Sequence, residues 1–504
     1  MEKIGIVLLD PSTVKLVLAY VEYGKYYIVF DEIEESIKLS KDIERDGIIK
    51  SNQINDSLKI LKMFKKLCES QGISNIVAYA RSFIGEAKNN RSFLEEIESA
   101  SGIQFKMLSD QDEMGALYSG VINTLDVPRG VIIDIENTAT HLLKYNRRNI
   151  LNRITIPIGA ETLSQLFLSD GNPPEENCIQ MIEYFKDNLQ DVDFIRDLDE
   201  EYCFVGVGAV FDSLGKLSRK VRKYPLDVQH NYMMSHGDVE AVYDIIKELD
   251  IDKTKKLKGI SNDRADILAS GLSILKAIYD CSTSAELVLS SSGIQDGLLF
   301  NHAIPTTLEK PINDILYYSL NALANHLVGS KRNGETVCNL SIMIFRQLKV
   351  LHKLPRTYVK SLKVASFLYS SGEIINFYNM RRNAFNIILS SNIYGVTHKE
   401  LLLGAFIAWA IDSQDFNLSE WVKYKDILDE TDLDAMKKLA AIVKIAIGMD
   451  ITQHGFIKDI VCDVLGDSVI MKTISEDDIT FEIKHALTST IDFKKAFGKY
   501  LEIL

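Results

Sequence analysis

Residues 130–145 read GVIIDIENTATHLLKY. An apolar run, Val131, Ile132 and Ile133, ends in the acid Asp134; a polar stretch from Glu136 to Thr140 follows, and apolar residues resume at Leu142 and Leu143. Two short apolar runs around a polar break predict strand, tight turn, strand. An acid at the mouth of such a turn is where an enzyme places a metal-bound water beside a phosphate, provided backbone N–H groups of the turn cradle that phosphate. Close approach of backbone favours glycine, and this turn has none. A plain hairpin fits the same pattern.

Upstream, residues 4–9 and 14–21 are strand-like runs separated by Asp10, Pro11, Ser12 and Thr13, and Tyr26 to Phe30 adds a third strand. Leu58, Ile60, Leu61, Phe64 and Leu67 carry a helical period across 54–70; a strand at 76–80 and a helix at 93–100 follow. Three strands, then alternating helix and strand, then the same order again from Gly130, predict a duplicated α/β unit. Loop 10–13 forms one wall of the expected cleft, with loop 134–141 opposite or beside it.

At 504 residues the chain exceeds a single core, and about two to four domains are expected. Apolar residues at 46% and charged residues at 25% are ordinary for a globular protein in water. The run Leu401–Ile411 is too short to span a bilayer and predicts a buried helix. Met1, Glu2 and Lys3 lead straight into IGIVLL with no cleavage site, so the expectation is a cytoplasmic protein without a membrane partner. Six cysteines without a CxxC pair argue against a disulfide framework and a thiolate zinc site. The net charge of -13 opposes a broad grip on a polyanion such as DNA, although a local basic patch still binds one; Lys216, Arg219, Lys220, Arg222 and Lys223 form such a patch, for which a solvated helix face is the commoner reading.

An ordered series of short segments then becomes specific. It runs through Glu86-Ala87-Lys88-Asn89, Leu108-Ser109-Asp110-Gln111-Asp112-Glu113 and Tyr118-Ser119-Gly120-Val121 to Ile156-Pro157-Ile158-Gly159-Ala160 and Gly206-Val207-Gly208. It continues through Tyr224-Pro225-Leu226-Asp227 and Gly259-Ile260-Ser261 to Gly293-Ile294-Gln295-Asp296-Gly297. Over most of residues 1–305 this series resembles the exopolyphosphatase/guanosine pentaphosphate phosphatase (Ppx/GppA) family. The resemblance implies an α/β plus α architecture, with an actin-like ATPase core of two ribonuclease-H-like lobes at 1–124 and 125–305. Leu351-His352-Lys353-Leu354 and Thr397 to Leu402 are similar to the family's HD-like helical domain, expected at 306–468. The end of the chain resembles its small β/α cap, expected at 469–504. The activity implied is release of terminal phosphate from polyphosphate or guanosine pentaphosphate with Mg²⁺, in a homodimer.

By the same resemblance Glu113 falls on the water-activating glutamate, and Asp134 on the aspartate of the DIGGGSTE loop, as catalytic acid and metal ligand. Ser12, Thr13, Thr138, Thr140, Gly206 and Gly208 are the expected phosphate-binding positions. The departures from the family pattern all weaken phosphate binding. DIGGGSTE is here Asp134-Ile135-Glu136-Asn137-Thr138-Ala139-Thr140-His141, so three glycines are gone and Glu136 adds negative charge. In the first loop Leu8 replaces the acid and Pro11 removes an N–H donor. The family's arginine falls on Gly85; whether Asp10 replaces the lost acid and Arg81 the lost arginine is left open by the sequence. Metal ligands of the HD type are replaced by Asn333, Tyr369-Ser370 and Arg381-Arg382-Asn383. The expectation is a weakened or inactive phosphatase that binds polyphosphate or a guanosine nucleotide in the cleft between the lobes. The alternatives are an active exopolyphosphatase donating through its Ser and Thr hydroxyls with Mg²⁺, and a structural or oligomerisation module.

Overall fold

A computed structural model describes the chain except residues 147–148, 169–173, 258–259, 261, 283–285, 305–311, 328–333 and 413–416. Gly259, Ser261 and Asn333, singled out above, lie outside the described residues. The chain divides into two compact units, one of residues 1–223 and 227–313 and one of 224–226 and 314–504.

The first unit holds two sheets. In the first, β1 (Glu2–Leu9), β2 (Thr13–Glu22), β3 (Tyr26–Ser36), β4 (Asn75–Ala80) and β5 (Phe105–Met107) lie in the order β3-β2-β1-β4-β5. The second contains β6 (Arg129–Ile135), β7 (Thr140–Asn146), β8 (Asn149–Ile156), β9 (Cys203–Val207), β10 (Tyr232–Met234) and β11 (Leu287–Ser290). Its order is β10-β11-β9-β6-β7-β8, so β8-β7-β6-β9-β11 repeats the arrangement of the first sheet, with β10 added at one edge. The duplicated α/β unit expected from the sequence is therefore the fold.

The central strands are apolar on both faces, as strands covered by helices on each side must be. Ile4, Ile6, Val7, Leu8 and Leu9 of β1 and Val131, Ile132, Ile133 and Ile135 of β6 are all buried. The strand read at 26–30 continues to Ser36 along the sheet edge. Asp31, Glu32, Glu34 and Glu35 broke the apolar pattern there, and charges of this kind are how an open sheet edge is protected from pairing with another chain.

Between the sheets, the helix Asp110–Ile122 lies against the helix Ile294–Ala303 at backbone distance. A Cβ on Gly120 would sit 2.1 Å from the Gly293 carbonyl oxygen, and one on Gly297 would sit 1.8 Å from that of Ala116. Glycine is needed at both positions for the close approach. Around this contact Leu8, Leu117, Ile132, Leu143, Val205 and Leu298 form one apolar cluster that both sheets share.

The described residues of the second unit between Ile315 and Met449 form a series of helices, and a small sheet follows. Its central helix, His398–Ala410, is buried at every residue from Leu401 to Ala410, as the apolar run predicted. The sheet has the order β12 (Asp459–Val464), β13 (Ser468–Ile474) and β14 (Tyr500–Ile503), and so begins before the expected cap at 469. β12 is a mostly exposed edge strand, so its sequence lacks the alternation that marks a half-buried strand. Among the described residues no helix is long and apolar enough to cross a membrane.

Candidate active site

The two sheets present matching hairpin turns. β1 and β2 end on the pair Leu9 and Val14, and β6 and β7 on the pair Ile135 and Thr140, leaving loops 10–13 and 136–139 of equal length. Each loop is closed by the same bond: the Asp10 N–H donates to the Thr13 carbonyl at 2.8 Å, and the Glu136 N–H to the Ala139 carbonyl at 2.9 Å. Asp10 and Glu136 are thus equivalent residues of a duplicated turn. The turns are also joined side chain to side chain, Asn137 Nδ2 donating to Ser12 Oγ at 2.8 Å.

Arg81 stands between them. It follows β4 directly, and its backbone N–H donates to the Leu9 carbonyl at 3.1 Å. That places it at the carboxyl ends of parallel strands, where open α/β sheets bind ligands. Its side chain is 7% exposed and donates to three acids at once. Nη1 reaches Asp10 Oδ1 at 3.0 Å; Nη2 reaches Glu113 Oε2 at 2.8 Å and the two Glu136 oxygens at 2.8 and 3.0 Å. Glu113 lies just inside the helix Asp110–Ile122, whose start is fixed by a capping box between Ser109 and Asp112. Its other oxygen accepts from the Ser82 N–H at 2.6 Å, so both carboxylate oxygens are engaged.

Asp134 is buried at the end of β6, beside Val207 of β9. Gly208 follows with φ +93, and a Cβ there would lie 2.8 Å from Asp134 Oδ1, so glycine is required by both backbone and contact. A Cβ on Gly206 would meet the Phe211 ring at 2.2 Å, which makes it a packing position. Thr140 is fully buried and donates to the Ile158 carbonyl at 2.8 Å. Ser12, Thr13 and Thr138 are half-buried in the turns. The helix Ala160–Phe167 directs its first N–H groups at the second turn, Ala160 to the Glu136 carbonyl and Glu161 to that of Asn137, both at 2.8 Å. These donors, which a helix start leaves free for an anion, are spent on the protein's own backbone.

Burial pushes the carboxyl of Asp10 up to about 6, against the opposing pull of Arg81. Burial, with Glu136 nearby, raises Asp134 to about 7. Glu136 is held below its usual range because Arg81 and His141 outweigh its burial. His141 is raised, since Glu136 and Asp134 outweigh the effect of burying it. Its Nε2 lies 3.7 Å from Glu136 Oε2, an ion-pair distance too long for a hydrogen bond, while Nδ1 is 3.0 Å from Thr155 Oγ1.

Comparison with known proteins decides the family. The model of the Ppx/GppA phosphatase family matches residues 17–304, more than half of the chain. The chain belongs to the Ppx/GppA phosphatase family. It is 24% identical over 281 residues to the bifunctional 3-dehydroquinate synthase/phosphatase of Fusobacterium nucleatum, covering 53% of this chain and 42% of that longer protein. It is 22% identical to the guanosine-5'-triphosphate,3'-diphosphate pyrophosphatase of Aeromonas salmonicida, covering 74% of this chain and 73% of the relative. Among solved structures, an exopolyphosphatase from Cytophaga hutchinsonii superposes with a TM-score of 0.55 at 16% identity, over 60% of this chain and 98% of that one. The fold is the actin-like two-lobe core of this family.

Magnesium, which the family resemblance implies, binds oxygen ligands at about 2 Å in a near-octahedral shell. The residues of this Ppx/GppA site do not fit it. Leu8 sits in the apolar cluster, and Asp10, Glu113 and Glu136 face a guanidinium. Among the described residues no group of three or more His, Cys, Asp or Glu side chains is arranged to hold a metal ion. In the helical unit Arg381, at a position where the family resemblance implies a metal ligand, is held by protein groups. Arg381 Nε donates to Asp412 at 2.9 Å, Nη1 to the Tyr369 carbonyl at 2.9 Å, and the guanidinium lies 5.5 Å from the Tyr369 ring.

The sequence left Arg81 and Asp10 open as replacements, and read Glu136 only as a charge hostile to phosphate. The structure brings all three together. The signal that was available is the acid repeated at the same place in two loops of equal length, which calls for a shared cation.

Proposed function

We propose that this chain is a weakened or inactive Ppx/GppA-family phosphatase that keeps the cleft between its lobes as a binding site for polyphosphate or a guanosine nucleotide. The observation that carries the reading is the state of Glu113. A water-activating carboxylate needs a lone pair that water can reach, and Glu113 is buried, with one oxygen bound by Arg81 and the other by the Ser82 N–H. Arg81 itself is shared among three acids, so the group best suited to fork a phosphate is already occupied. The excess acid also repels a phosphate: at about 4 Å each unpaired charge costs roughly 1 kcal/mol in water and about 4 at an effective dielectric of 20.

The choice of ligand rests on the activities named for relatives, an exopolyphosphatase and a guanosine-5'-triphosphate,3'-diphosphate pyrophosphatase. We read the helical unit as the HD-like domain with its metal replaced by Arg381. A ligand that binds only the native state raises its melting temperature, by about 2.7 kcal/mol of stability at a hundredfold excess over Kd. The expected result is a concentration-dependent shift with long-chain polyphosphate or guanosine pentaphosphate while the ligand stays intact on a 31P spectrum. No shift with either ligand removes the binding half of the proposal; loss of ligand signal removes the other half.

A further inference from the structure

Among the three acids on Arg81, Glu136 differs from the other two. Asp10 and Glu113 belong to the same lobe as Arg81, whereas Glu136 reaches it from the other lobe. It is also the most open, its side chain 23% exposed against 16% for Asp10 and 2% for Glu113. It presents two oxygens to one guanidinium nitrogen at 2.8 and 3.0 Å. A pair of phosphoryl oxygens offers arginine the same kind of acceptor. Arg81 also keeps a donor in reserve: its buried Nε has no hydrogen-bond partner among the described residues. A buried donor left in this state costs stability and is satisfied when a ligand supplies an acceptor.

We propose that the Glu136 carboxylate is an internal occupant of an anion site built on Arg81, and that a phosphoanhydride binds only by displacing it. The inference rests on the reading of the cleft as a phosphate-ligand site and adds what controls it. Glu136 competes for the guanidinium, and it links the two lobes while doing so. An incoming phosphate takes over Nη2 and gains Nε, and Glu136 swings towards solvent, the direction in which it is already open. Asp10 and Glu113, more deeply buried and rooted in the same lobe as Arg81, stay in place and keep the guanidinium fixed.

The test compares wild type with Glu136→Gln and Glu136→Gly by calorimetric titration with tripolyphosphate in chelator-treated buffer. Glu136→Gln keeps the size of the side chain, so it remains informative should the glycine variant fail to fold. Either variant is expected to bind tripolyphosphate at least about tenfold more tightly than wild type, a gain of roughly 1.4 kcal/mol. Adding Arg81→Lys to Glu136→Gln keeps the charge but loses the fork, and is expected to cancel the gain. Equal affinity of wild type and both variants overturns displacement while leaving the cleft as a binding site. A gain that survives Arg81→Lys overturns the assignment to Arg81, and the absence of binding by every variant overturns both this inference and the reading beneath it.

Discussion

Arg81 Nη2 and the carboxylate of Glu136 meet from opposite lobes of the core at 2.8 and 3.0 Å, in a site where the guanidinium is nearly buried. Two hairpin turns of the same length each carry an acid at the same place, and one arginine binds both. The arrangement makes the arginine a structural element as well as an electrostatic one. Removing a single partner from a buried ion cluster strands the others without compensation. Arg81→Ala takes the shared guanidinium from three clustered carboxylates and is expected to lower the urea unfolding free energy by about 3–5 kcal/mol. A change within about 0.5 kcal/mol, typical of a surface substitution, would show that the cluster is not holding the core.

The same acids give a signed pH dependence. Asp10 and Asp134 titrate above their ordinary 3.8, at about 6 and about 7, so the native protein binds more protons than the unfolded chain between these limits. Their stabilising contribution is complete in acid and is lost as pH rises through those values. His141, also raised, acts in the same sense above its ordinary 6.5. Glu136, held low, acts oppositely, contributing above the usual carboxylate range and losing that contribution only in stronger acid. The urea midpoint is expected to be highest near about pH 5 and to fall by about pH 8, and Asp134→Asn is expected to flatten the fall. A midpoint rising steadily over that interval contradicts the assignment.

Packing of the helices Asp110–Ile122 and Ile294–Ala303 depends on glycine. A Cβ on Gly297 would lie 1.8 Å from the Ala116 carbonyl oxygen, which belongs to backbone and cannot step aside. Gly297→Ala is expected to cost about 1–3 kcal/mol by overpacking, measured by urea unfolding. Gly85→Ala, at an exposed position where a Cβ meets nothing within 4 Å, is the control and is expected to leave the midpoint unchanged.

In the helical unit Arg381 supplies a positive charge among the motif positions where the family resemblance expects a metal. Its bonds to Asp412 and to the Tyr369 carbonyl need no ion. Chelation with EDTA is therefore expected to leave the melting temperature unchanged, because no metal binding energy is coupled to folding. Arg381→Ala is expected to lower stability by about 1–3 kcal/mol, through loss of its bonds to Asp412 and to the Tyr369 carbonyl. A melting temperature that drops with EDTA and recovers with Mg²⁺ would falsify this account of the unit.

Much of this architecture was legible in the residues. Apolar runs ending at Leu9 and Ile135, each followed by a short polar loop and a second run, define the two hairpins. The order of elements then identifies the duplication, and the family segments fix where Glu113 and Asp134 fall. Long-range pairing was not legible. Arg81 lies 71 residues from Asp10, 32 from Glu113 and 55 from Glu136, and no local pattern couples such positions. Exposed edge strands were also hidden: the end of β3 and the whole of β12 carry charged or unpatterned residues because water, not core, faces them. Gly206 reads as a phosphate glycine in sequence but packs on Phe211, since spacing alone cannot separate close approach to a ligand from close approach to a ring.

Release of inorganic phosphate from long-chain polyphosphate, followed over hours with Mg²⁺ for wild type and Glu113→Ala side by side, tests the central claim most directly. With Glu113 bound at both oxygens and Arg81 shared by three acids, the two proteins are expected to give the same rate, indistinguishable from buffer. Brisk magnesium-dependent release by wild type that Glu113→Ala abolishes would contradict it.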